Sequence, residues 1–134
     1  MSMSAKKLDE LVRTMENHLE CWKQFNHYLG LARSKKFEPE DEAQFLEVKS
    51  VITQELEIIL AGVETSNPTK DDILALISGA PSIRYASELQ EQSLRTMENQ
   101  WHKIFISWQS LLGQLKVQQK QTEKKSFWGS LFKK

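Results

Sequence analysis

Two long stretches of this chain carry apolar residues at alternating three- and four-residue spacings with almost no glycine or proline between them. That periodicity limits the fold more than any other feature. From Leu8 two seven-residue series interleave: Leu8, Met15, Trp22, Leu29 and Leu11, His18, Phe25, Ala32, with Val12 and Leu19 widening the stripe. The spacing predicts a first helix over about 4–34, carrying the broad apolar face of a bundle helix.

The last stretch behaves alike. With Ser82 as the expected cap, no glycine or proline occurs from Ile83 until Gly113, and the stripe runs Leu94, Met97, Trp101, Ile104, Trp108, Leu111, Leu115. A single helix reaching Lys125 would measure about 60 Å, against about 45 Å for the first.

Between them the signals are those of punctuation. Pro39 suits a first helical position, and Glu40, Asp41 and Glu42 follow it at the positive end of a helix dipole. The stripe of this second helix is Phe45, Val48, Ile52, Leu56, Ile59, Leu60 and Val63, and Gly62 with the run ETSNPT ends it. Thr69 with Asp72 three residues on resembles a capping box ahead of Ile73, Leu74, Leu76 and Ile77; Gly79 and Pro81 close this short third helix. The expected architecture is all-α: an antiparallel bundle of three long helices plus one short helix, with an amphipathic C-terminal appendage. The helical bundle domain is expected over 1–117, and a polar spacer and basic aromatic tail over 118–134.

The pentamer RTMEN occurs at 13–17 and again at 95–99, each time with its methionine on the stripe. Similarity beyond the pentamer is weak. Whether or not it records a duplication, the two methionines are expected to play equivalent core roles.

Charge is unevenly placed along a chain with net charge zero. Residues 116–134 hold six lysines against Glu123, net +5, which leaves the preceding body at net −5. Neutrality overall and scattered lysine pairs argue against nucleic acid as a partner. One cysteine, Cys21, excludes an internal disulfide. With no signal-like or membrane-spanning apolar run, the expected placement is cytoplasmic, possibly peripheral to a membrane.

Catalytic motifs are missing. There is no phosphate loop, no G-x-S-x-G, no H-E-x-x-H and no paired C-x-x-C, and no histidine follows a glutamate by three as in di-iron bundles. His18 and Cys21, an i, i+3 pair, come nearest to a metal set, but His27 points away from them on a helix and zinc takes about four ligands. His18 is expected to border the core and Cys21 to fill it as a small apolar group. Glu98 and His102 read as a solvated surface pair, and Trp22, Trp101 and Trp108 as core. No catalytic residue, metal or cofactor is expected.

The terminal run KKSFWGSLFKK remains. After Val117 the chain is polar on all sides, so the core stripe has ended before Phe127. Within a helix Phe127, Trp128, Leu131 and Phe132 would span an arc of about 140°, with Lys124, Lys125, Lys133 and Lys134 bracketing it. These eight are the expected partner- or membrane-binding residues. Ordering such a segment on docking costs about 1–2 kcal/mol per residue, so attachment is expected to be weak and reversible. The expected role is a non-catalytic helical adaptor or scaffold that docks through this tail to an anionic membrane surface or a partner protein. The alternatives are a metal-dependent enzyme or sensor built around His18, Cys21 and His102, and a purely structural, self-associating bundle.

Overall fold

The computed structural model of the chain describes residues 4–65 and 67–132, apart from the side chains of Ser126, Ser130 and Phe132. Five helices pack together: α1 (Ala5–Ser34), α2 (Pro39–Gly62), α3 (Lys70–Gly79), α4 (Ile83–Ser87) and α5 (Glu91–Phe132). No strand occurs among the described residues.

The boundaries follow from local chemistry. The Ser4 side chain accepts the Lys7 amide at the head of α1, and Thr69 and Ser82 do the same for Asp72 and Tyr85 at α3 and α4. At α2 the Asp41 carboxylate reaches back to the Glu38 amide at 2.8 Å, and Pro39 takes the first helical position. Lys35 closes α1 in the left-handed region, φ 58°, while the Lys36 amide returns to the Leu31 carbonyl. That closure favours glycine at Lys35, because only glycine reaches this region without a Cβ penalty.

Packing then uses the stripes. All ten of the apolar and histidine positions named on α1 are buried, as are Phe45, Val48, Ile52, Leu56 and Ile59 of α2. On α5 the buried set is Leu94, Met97, Ile104, Trp108, Leu111 and Leu115, with Trp101 half-buried. Both RTMEN methionines, Met15 and Met97, are in the core. α1 is the common wall, packed against α5, α2 and α4, and α3 touches both α5 and α2. Gly79 lets α3 close on α5: an added Cβ there would stand 3.0 Å from the Met97 methyl carbon.

Polar contacts tie the same surfaces. On α1, Asp9 accepts from Gln119, Glu16 pairs with Lys116, the Trp22 carbonyl accepts from Trp101, and Arg33 pairs with Glu91 and Glu98 of α5. Towards α2, Asn17 and His18 meet Glu55, and the Tyr28 hydroxyl donates to Gln44.

One expectation is corrected. The single helix expected from Ile83 onward is two, because α4 stops at Ser87 and α5 begins at Glu91. No glycine or proline marks the break. Instead the Ser87 hydroxyl donates to the Arg84 carbonyl at 2.6 Å, and the Gln90 carbonyl accepts from Ser93 and Leu94 as the new helix starts. The head of α4 is fixed from outside its own sequence: the Glu42 carboxylate takes the Ile83 and Arg84 amides, and the Lys49 amine is held by the Ala80 and Pro81 carbonyls. Serine bonding to nearby backbone competes with helix continuation, and here tertiary anchors favour the competitor. The expected outcome for Lys35→Gly is a gain of about 0.5–1 kcal/mol in chemical unfolding, since the left-handed cost disappears.

Candidate docking surface

The tail residues are not a separate piece in space. α5 runs as one helix of 42 residues through the polar stretch to Phe132. Gln119 still reaches Asp9 of α1 at 2.7 Å, and Thr122 lines clefts shared with Ala5 and Leu8. Beyond Lys125 the helix passes the first residue of α1.

Helical phase decides where the tail points. At about 100° per residue, Phe127, Trp128, Leu131 and Phe132 centre about 180° around α5 from the seam of Trp108, Leu111 and Leu115. The exposures agree: Phe127 is 62% exposed, Leu131 55% and Trp128 45%. The Phe127 and Trp128 rings meet edge to face at 5.7 Å, which holds the two as one apolar unit. Lys124 and Lys125 are exposed one turn before them. Lys133, Lys134 and the Phe132 side chain, also expected at this site, lie outside the described residues.

A second feature was not anticipated. An open cleft of about 900 Å³ lies between the end of α2 and α5, lined by Leu60, Val63, Glu64, Gln118, Thr122 and Lys125 among others. α3 begins at Lys70, whose amine pairs with Glu57, so the space between α2 and α5 beyond that level has no helix in it. The short length of the third helix was legible in the sequence; the cleft follows only once its position is known.

The histidine and cysteine of the alternative reading are placed differently from a metal set. His18 is fully buried on α1 and His102 is exposed on α5. No group of three His, Cys, Asp or Glu residues suited to a metal ion occurs among the described residues. His18 is instead a core hydrogen-bonding hub. The Trp22 indole donates to its Nε2 at 3.0 Å, so in the neutral ring the proton sits on Nδ1, 3.2 Å from Glu55 Oε1. The other Glu55 oxygen accepts from Asn17 at 2.5 Å. The Trp108 ring stands edge-on to the imidazole at 5.2 Å, and its indole N–H has no acceptor among the described residues. Glu55 was the residue sequence reasoning missed, because its partner on α1 is 37 positions away.

Burial governs the titration of this cluster. Desolvation pushes His18 down from 6.5 to about 4. Burial raises Glu55, opposed by the Asn17 hydrogen bond. Cys21 is pushed up to about 11 by burial first, then by the charges of Glu55 and Glu20. A thiol so raised stays protonated and unreactive near neutral pH. The expected Glu98–His102 surface pair is not what Glu98 makes: its carboxylate holds Arg33 across the α1–α5 seam at 2.7 Å.

No protein-family model, curated protein or solved structure matches this chain. No helix among the described residues is long and apolar enough to cross a membrane.

The His18 environment carries a sign. A histidine whose folded value lies below its unfolded one binds fewer protons folded than unfolded, so its contribution is complete above pH 6.5 and is lost as the pH falls towards 4. Urea unfolding is expected to show a loss of about 2 kcal/mol between pH 7 and pH 5, and the slope should flatten in His18→Gln. Glu55, shifted upward, acts in the opposite sense and only at the acid end.

Proposed function

We propose that the protein is a non-catalytic helical adaptor or scaffold that docks peripherally on a membrane surface through the outward face of the α5 terminus. The body is read as an antiparallel bundle, supported by the pairing order along α1, where Asp9, Glu16, Trp22 and Arg33 meet Gln119, Lys116, Trp101 and then Glu98 and Glu91. The terminal segment is read as its docking appendage, and the protein as cytoplasmic.

One observation carries the reading: the aromatic arc points away from the protein's own core on a helix that is already formed. A tail meant to complete the core of its own bundle would place its apolar residues in phase with Leu111 and Leu115, and these are on the opposite side. The chemistry of the arc suits a lipid boundary. Aromatic rings sit at headgroup level, and flanking lysines are drawn to anionic lipid.

The i, i+4 pair Phe127 and Leu131 also favours a second reading, in which the same face enters a groove on a partner protein. A metal-dependent role has less behind it, since His18 is engaged by Trp22 and Glu55 while His102 lies at the surface.

Replacing Phe127 and Trp128 together by serine is expected to leave helicity and melting unchanged while weakening vesicle co-sedimentation at least tenfold, from the loss of about 1.5–3 kcal/mol for each buried ring. A chain ending at Glu123 should behave likewise. Unfolding of the bundle by either change would mean the tail is structural. Binding to a protein partner, lost in the same variants and with no vesicle binding by the intact chain, would select the groove.

A further inference from the structure

The outward side of α5 does not become a docking face only at Phe127. At about 100° per residue, the arc defined by Phe127, Trp128 and Leu131 continues back along the helix through Lys124, Lys120, Val117, Ile106 and Lys103. Each of these is exposed, Val117 at 55% and Ile106 at 50%. The remaining positions on this arc between Asn99 and Leu131 are His102, Gln109, Ser110, Gly113, Gln114 and Gln121. No aspartate or glutamate stands among them, although the body before residue 116 carries net −5.

Resting on the docking reading above, we propose that α5 lies along an anionic phospholipid surface from about Lys103 to Leu131, rather than standing on it by its tip. The acid-free face supplies the complementarity: lysines beside exposed apolar side chains, with the acidic surface turned elsewhere. Each lysine near such a surface adds about 1 kcal/mol. The aromatic end inserts at the headgroup boundary, and the upstream lysines hold the rest of the helix parallel to it. A second copy of the chain suits this face less well, because a two-fold contact would set its lysines against their own equivalents.

The test uses the full chain and vesicles of phosphatidylcholine, with and without phosphatidylserine. Lys103→Glu combined with Ile106→Ser removes two positions more than 20 residues from the aromatic end without touching the core. It is expected to weaken binding to the mixed vesicles roughly tenfold, with melting unchanged, and Val117→Glu should act in the same direction. If both variants bind as the intact chain does while the Phe127 and Trp128 double variant fails to bind, the flat footprint is overturned and docking by the tip stands. Equal binding of the intact chain to vesicles with and without phosphatidylserine would overturn the anionic requirement. Should the intact chain and the aromatic variant bind alike, the docking reading itself falls.

Discussion

Burial of the double seam of α1 is the interaction on which the other elements depend. α2, α4 and α5 all pack against this one helix, and its two interleaved heptad series give it an apolar surface wide enough to serve several neighbours. The cost appears at His18, which sits in the middle of that surface as a polar ring fully removed from water. A buried polar group is tolerated where its hydrogen bonds are met. Trp22 from the same helix and Glu55 from α2 meet both ring nitrogens. The cluster also defines which part of α2 faces which part of α1, since only one register brings Glu55 to both Asn17 and His18.

The body of the molecule therefore spends its chemistry on packing and has a histidine without a catalytic environment. The contrast with the end of α5 is one of phase. Up to Leu115 the helix turns its apolar residues inward. By Phe127 it turns them outward, and the intervening residues are polar. Because the helix is continuous, the conformational entropy of ordering the tail has already been met by folding. That removes the largest opposing term expected for a disordered tail and makes the docking face pre-formed.

How much of this could be read from the sequence depends on whether the cause was local. The α1 stripe, the caps at Thr69 and Ser82, Pro39 at the head of α2 and the core places of Trp22 and Trp108 follow from spacing and short-range hydrogen bonding, and the sequence shows them. The split between α4 and α5 was hidden because its causes, Glu42 and Lys49, lie some 40 positions earlier and act only after folding. Glu55 was hidden for the same reason: nothing in the residues around it distinguishes a glutamate that will meet an imidazole from one that will meet water. The aromatic arc was legible as an arc, and its outward direction needed the helix to be unbroken.

Continuity of α5 makes the residue count between Leu115 and Phe127 a structural parameter in its own right. The polar stretch acts as a shaft whose composition is free but whose length is not. Adding or removing one residue would swing the aromatic end by about 100° relative to the bundle, turning the lipid-seeking rings sideways while every core contact stayed as it was. Four added residues would restore the bearing to within about 40° and push the end further out, so the orientation of the whole body above its surface is written in an integer rather than in any single side chain.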